Sequence, residues 1–405
     1  MNLTNKIFIS LLLGIVLGSV INYFFSDLVN ILISPVSVLG KLFVSSLKML
    51  IVPVVFFSIV CGVTNLGDTS SLGRIGGKSI FLYLFSTFIA ITLALVFANI
   101  IDPGAGAKFS LNNNYQANSP PPLSNIIENL IPTNPLKALS DGNMLQVILF
   151  AIILGITITK LETSSNYKIK AAFDSFNQLF LKMIDIIMLF APYGVFFLIF
   201  KTFMTQGFNA ITELASYFFT VLVVLIIHFI VTYGCLIYFF TKVKLIYFYK
   251  KMRKTFLFAF STASSAATIP VTLKTVEEDL GVDKSVASFS VPLGATINMD
   301  GTAIMQGVAT IFIANAYGIQ LNLSDFVSVI MVATLASVGT AGVPGVGLIM
   351  LAMVLNQVGL PSEGIALIIG IDRILDMTRT AVNVTGDAAI SCVVASSENK
   401  LKIKL

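Results

Sequence analysis

The chain has 405 residues, 56% of them hydrophobic and only 11% charged, against roughly 25% charged in soluble proteins. Soluble, nucleic-acid-binding and disordered classes are excluded. A mean hydropathy of +0.92, with apolar runs spread from Phe8 to Val394, marks a polytopic membrane protein whose solvent is lipid.

The formal charge of +5, from 25 basic and 20 acidic residues, reports topology and not an acidic partner. Cys61, Cys235, Cys392 and the single His228 lie in apolar segments at no metal or disulfide spacing, so structural roles are expected for all four. Met1 to Lys6 followed by an apolar run to Phe25 reads as an uncleaved first span, because the run is long and no Ala-x-Ala-like site follows it.

Runs of about twenty apolar residues predict spans at 7–25, 36–61, 79–101, 143–159, 172–200 and 214–241. The loop 62–78 carries Arg74 and Lys78, the loop 160–171 carries Lys160, Lys168 and Lys170, and the stretch 242–254 carries six Lys or Arg. The positive-inside rule puts these three, with both termini, in the cytoplasm. The polar loop 102–122 is then external.

After Lys254 the pattern changes. The stretch 255–273 is uncharged but holds Ser261, Thr262, Ser264, Ser265, Thr268 and Pro270, and 326–362 is uncharged with Gly339, Gly342, Pro344, Gly345 and Gly347 at its centre. Each half of the second stretch, about thirteen residues or roughly 20 Å of helix, is too short to cross a core of about 30 Å. Non-helical backbone at membrane depth survives only where protein or a cavity shelters it. Both 255–273 and 326–360 are therefore expected as re-entrant hairpins, the first entering from the cytoplasm and the second from outside, with full spans at 285–315 and 363–395.

The hairpin tips read SSAATIP (Ser264 to Pro270) and SVGTAGVP (Ser337 to Pro344), and the spans after them carry NMDGT (Asn298 to Thr302) and NVTGD (Asn383 to Asp387). Hairpin plus span, repeated with opposite entry side, is the signature of an inverted-repeat secondary transporter with its site at the repeat interface. Asp300 and Asp387 fit that site, since an intramembrane Asp costs about 2.5–3.5 kcal/mol on insertion scales and is by default functional. Carboxylate, Asn amide, hydroxyls and the free carbonyls of a broken helix are hard oxygen ligands suited to Na+. The bland alternative is a helix-breaking Asn-Gly pair with its Asp satisfied by neighbours.

The last span adds Asp372, Arg373, Asp376 and Arg379, two of the four arginines in the chain. Asp372, Asp376 and Arg379 stand at i, i+4 and i+7, with Asn383 and Asp387 continuing the face. The structural alternative is an internal salt-bridge ladder from Asp372 or Asp376 to Arg379. Arg373 lies about 100° off the stripe and is expected in a local ion pair or a structural role.

DPGAGA (Asp102 to Ala107), IPTNP (Ile131 to Pro135), APYGVF (Ala191 to Phe196), PLGATINMDGTA (Pro292 to Ala303), SVGTAGVPG (Ser337 to Gly345) and ILDMTRTAVNVTGD (Ile374 to Asp387) together resemble glutamate transporter homologues of the dicarboxylate/amino acid:cation symporter family, over nearly the whole chain. The resemblance implies an all-α polytopic membrane protein of eight transmembrane helices and two re-entrant hairpins, working as an elevator. It implies a homotrimer in the cell inner membrane, no enzymatic activity, an acidic amino acid substrate and sodium ions. Residues 1–75 and 123–205 would form the scaffold. Residues 76–122 (span 3 and the external loop) and 206–405 would form the transport domain.

Carried over by residue, the resemblance implies that Arg379 pairs with the substrate side-chain carboxylate and Asp376 with its amino group. Thr302, Thr380, Asn383, Ser265, Val343 and Gly347 complete the pocket. One sodium site resembles Gly294, Asn298, Asn383 and Asp387, a second Thr296, Ser337, Val338 and Thr340, and a third Tyr83, Ser86, Thr87, Asn298 and Asp300. The order Ser86 then Thr87 is reversed from archaeal members, and Ala263 stands where those carry an arginine and animal members a serine. Arg373, one turn before Asp376, is the charge expected to make up for that arginine. The rival within the family is a proton-coupled glutamate or C4-dicarboxylate transporter. A channel could use the same hairpins. An intramembrane aspartyl protease would need a Tyr-Asp and a Gly-x-Gly-Asp pair, and the chain has only Thr385-Gly386-Asp387 without the first glycine.

Overall fold

Apolar segments with no water to bond their peptide groups must satisfy them internally, and every regular element of the described chain is helical. The computed structural model describes residues 3–64, 70–105, 131–161, 163–206, 209–337, 342 and 345–402. In chain order the helices are α1 (Leu3–Phe24), α2 (Ser26–Lys48), α3 (Ile51–Thr64), α4 (Ser70–Ile101), α5 (Pro135–Asp141), α6 (Met144–Thr159), α7 (Thr163–Met188) and α8 (Ala191–Gln206). There follow α9 (Asn209–Ile227), a π-turn (His228–Thr232), α10 (Tyr233–Phe240), α11 (Leu245–Thr262) and α12 (Ser265–Lys274), which runs into a second π-turn (Thr275–Asp279). The last are α13 (Lys284–Ile297), α14 (Asp300–Ala316), α15 (Leu323–Ser337), α16 (Val346–Gln357) and α17 (Ile365–Ser397).

Three expected spans are interrupted. The run 36–61 breaks between α2 and α3, and 172–200 breaks between α7 and α8. In both cases a proline, Pro53 or Pro192, falls in the first turn of the second helix, where its missing N–H costs nothing. The run 285–315 breaks at Asn298 (φ −85°, ψ 92°) and Met299 (φ −117°, ψ 41°), so α13 and α14 are half-helices and not one span. Arg74 and Lys78 stand on α4, and Lys168 and Lys170 on α7, rather than in the loops expected for them.

The turn of the first hairpin is built by Ala263, held left-handed at φ 49°, and by Ser264, whose side chain accepts from the N–H of Ala267. A non-glycine residue in this region carries a strain of about 1–2 kcal/mol, tolerated here inside a buried turn. In the second hairpin α16 starts at Gly345, φ 87°. Val338 to Ala341, Val343 and Pro344 lie outside the described residues, as does the external loop from 106 to 130.

Packing falls into two sets. α1 and α2 pack on α8, and α3 packs on α6 and α7. α17 runs through the other set, against α10, α11, α13 and α14, and α4 packs on α14. The sets meet chiefly where α17 touches α8. Outward faces carry Leu12, Val16, Phe88, Ile230 and Leu257 exposed, a surface that hydrocarbon accepts and water does not.

The segment 398–402 after α17 is tied down. Lys402 N–H donates to the Gly281 carbonyl and Asp283 N–H to the Lys400 carbonyl. Glu398 accepts from Lys78 and, through both carboxylate oxygens, from Arg74. The Lys78 bond, then the Arg74 bond, holds its carboxyl below the usual range. A carboxyl that ionises more easily when folded stabilises above its unfolded value, and this is lost as pH falls through the folded one. Protection of the amides at 398–402, measured against the intrinsic exchange rate at each pH, should therefore fall on acidification into the carboxylate range, and Glu398→Gln should already show weak protection at neutral pH. Protection that does not change with pH in the wild type would show that the Glu398 charge does not hold the segment.

Candidate functional site

The polar face anticipated on α17 points inward. Asp372, Asp376, Arg379, Thr380, Asn383 and Asp387 are all buried, because α17 is enclosed by α10, α11, α13 and α14. Arg379, 1% exposed, donates from Nη1 to Asp372 Oδ1 at 2.6 Å and from Nη2 to Asp376 Oδ1 at 2.9 Å. The ladder is thus formed, with Asp372 as the closer partner. Arg373 Nη1 lies 3.7 Å from the other oxygen of Asp376, the local ion pair expected of it. Arg379 Nε is buried with no partner among the described residues.

Around this cluster stand the other anticipated pocket residues. A Cβ at Gly347 would lie 3.2 Å from Arg379 Nη2 and 3.4 Å from Thr302 Cγ2, so the start of α16 passes close over the guanidinium. Thr380 donates back to the Asp376 carbonyl. The two hairpin tips touch: Ser264 Oγ donates to the Gly342 carbonyl at 2.8 Å, and the N–H of Ala266 to the same oxygen at 3.3 Å. A Cβ at Gly342 would lie 2.8 Å from the Ala295 carbonyl and 3.0 Å from Ser265 Cβ, so only glycine permits this closeness. A cleft lined by Ile7, Phe43, Val195 and Leu348 reaches Asp372, Arg373 and Asp376 from the α1–α8 side.

The break between α13 and α14 meets α17 at Asn298. Its Nδ2 donates to Asp387 Oδ1 and to the Asn383 carbonyl, both at 2.9 Å, and Gly301 N–H donates to Asn383 Oδ1 at 2.7 Å. Asn298 Oδ1 is buried and has no partner among the described residues. A bare amide oxygen beside a buried carboxylate offers hard oxygen donors of the kind a small cation takes, so these residues fit part of the shell of one. Gly294 belongs to the same group, since a Cβ there would run into Asp387 Oδ1 and the Tyr83 hydroxyl.

Asp300 collects Ser86 Oγ (2.5 Å) and Thr87 Oγ1 (2.6 Å) from α4, so the reversed hydroxyl pair still converges on one carboxylate. The Tyr83 hydroxyl donates elsewhere, to the Ser290 carbonyl at 2.9 Å, while the Tyr83 carbonyl accepts from Thr87. Of the remaining set, Thr296 and Ser337 bond back to their own helices. Val338, Thr340 and Val343 are outside the described residues. Among the described residues no group of three His, Cys, Asp or Glu could hold a metal ion.

A model of the sodium:dicarboxylate symporter family matches residues 3–397. The chain belongs to this family. Over 98% of its length this symporter is 33% identical to the proton/glutamate-aspartate symporter of Escherichia coli, covering 93% of that protein, and 33% identical to the proton/sodium-glutamate symport protein of Bacillus caldotenax, covering 94%. Also over 98% of its length it is 32% identical to the C4-dicarboxylate transport protein of Bacillus subtilis, covering 94%. The family is one of membrane symporters, for amino acid or dicarboxylate substrates with coupled cations.

Two residues of the symporter escaped the sequence reading. His228 Nε2 lies 3.0 Å from Asp300 Oδ2, and the Tyr233 hydroxyl donates to the same oxygen at 2.8 Å. The sequence gives His228 a structural role, and the structure supplies its partner, Asp300. A histidine alone in an apolar run gave no sign of its partner, 72 residues away.

Proposed function

We propose that this chain is a secondary active symporter that takes up acidic amino acids, aspartate or glutamate, on a sodium gradient. The observation that carries the reading is the buried Arg379 and Asp376 pair, two opposite charges 2.9 Å apart beside Thr302 and the start of α16. A zwitterionic dicarboxylate can exchange partners with it. The substrate side-chain carboxylate takes the place of Asp376 on Arg379, and Asp376 takes the substrate ammonium, so Arg379 and Asp376 each keep an opposite charge. Asp372 stays on Arg379 and holds the guanidinium for the incoming carboxylate.

The bare Asn298 Oδ1 beside Asp387, and the hydroxyls on Asp300, support sodium as the driving ion; the B. caldotenax relative carries both proton and sodium in its name. The two packing sets support an elevator in which residues 76–122 and 206–405 move against a scaffold of 1–75 and 123–205, in a homotrimer with both termini cytoplasmic. The touching hairpin tips suit gates that open in turn. The second reading, a proton-coupled glutamate or C4-dicarboxylate carrier, draws on the E. coli and B. subtilis relatives. Uptake of labelled aspartate, glutamate and malate into proteoliposomes separates them. Aspartate or glutamate should accumulate on an inward sodium gradient; accumulation on a proton gradient alone would overturn the sodium reading, and accumulation of malate alone the amino acid reading.

A further inference from the structure

Asp300 is the most heavily bonded carboxylate of the site. Each carboxylate oxygen offers about two lone-pair positions, and Oδ2 is crowded beyond that by Ser86, Tyr233 and His228, while Oδ1 takes Thr87 alone. All five residues are buried. Two of the donors come from one place, the π-turn His228–Thr232, closed by the Tyr233 N–H on the His228 carbonyl. In an α-helix, residues five apart point about 140° away from each other. The wider π-turn brings them onto one face, and the two rings meet edge to face at 4.7 Å.

We propose that this π-turn is a clamp on Asp300 that sets the affinity for the cation, with His228 and Tyr233 as positioning residues that compete with the cation for Oδ2. This rests on the reading of Asp300 as a cation ligand. The donors are not equivalent. Ser86 and Thr87 can turn their hydroxyls and offer lone pairs to an ion. His228 Nε2–H facing a carboxylate presents only a proton, and the Tyr233 hydroxyl shares Oδ2 with it, so both compete with an ion for that oxygen. Gly386 lets the clamp reach this far in, since a Cβ there would overlap the Tyr233 hydroxyl and Asn298 Nδ2, which ties the clamp to the Asp387 group.

The test uses the full chain purified in detergent, with sodium chloride exchanged for choline chloride at constant ionic strength. The readout is the sodium concentration giving half of the sodium-dependent rise in melting temperature. Tyr233→Phe deletes one donor and keeps the ring, and should lower that concentration about tenfold; His228→Phe should shift it in the same direction. Damage to packing would raise the sodium requirement instead, so an unchanged or raised value in Tyr233→Phe overturns the clamp. Asp300→Asn separates this from the parent reading. If Asp300→Asn has lost sodium stabilisation while Tyr233→Phe matches the wild type, the clamp alone fails. If Asp300→Asn keeps wild-type sodium dependence, Asp300 holds no cation and both fall.

Discussion

Arg379→Thr should cost aspartate and glutamate at least roughly a hundredfold in affinity, because the side-chain carboxylate would be buried without its partner, a loss on the order of 3–5 kcal/mol. Small neutral amino acids such as serine or alanine put no charge there and should bind as well as before or better. The ladder adds a complication that can be controlled. Arg379 also neutralises Asp372 and Asp376, so its loss strands the buried Asp372, leaves Asp376 with Arg373 alone, and should reduce assembly. Adding Asp372→Asn removes the stranded charge and should restore folded protein without restoring aspartate binding. Asp376→Asn should weaken every amino acid through the common ammonium and relatively spare malate. Isothermal titration of the folded variants decides the matter: wild-type aspartate affinity in Arg379→Thr would leave the arginine a structural residue only.

Asp387→Asn is the second change expected to be severe. It keeps the size of the side chain and can still accept the 2.9 Å bond from Asn298, so the helix break should survive. What it removes is the negative charge beside the bare Asn298 Oδ1. With a cation to desolvate and no charge to receive it, sodium-dependent substrate binding should fall by about a hundredfold. Binding of labelled aspartate across a sodium titration is the measurement, and an unchanged sodium dependence would remove Asp387 from the cation site. Asn298→Ala offers a separate check, since it deletes the bare oxygen without touching the charge and should give a smaller loss in the same direction.

Much of this was readable before any coordinates. The stripe Asp372, Asp376, Arg379, Asn383, Asp387 follows from the helical repeat alone, because a helix sets its own faces locally. The hairpin turns at Ala263–Ser264 and near Gly345 were visible as interruptions in apolar runs too short to cross a bilayer, a matter of composition and length. The family followed from motifs spread over nearly the whole chain.

What needed the tertiary structure is every choice among partners. The stripe allowed Asp372 or Asp376 to take Arg379. Packing around α17 lets both do so, with Asp372 closer. The apolar run 285–315 reads as one span because Ile297 and Met299 are as hydrophobic as their neighbours, yet Asn298 is drawn out of the helix by Asp387 and the Asn383 carbonyl, 85 or more residues away. His228 looks like core from its neighbours and becomes a partner of a buried carboxylate only because a π-turn brings it and Tyr233 onto the Asp300 of another helix. Periodicity and breakers are properties of adjacent residues and are written in the sequence. The pairing of a buried charge is settled by which donors three-dimensional packing leaves within 3 Å, once water is no longer there to satisfy it.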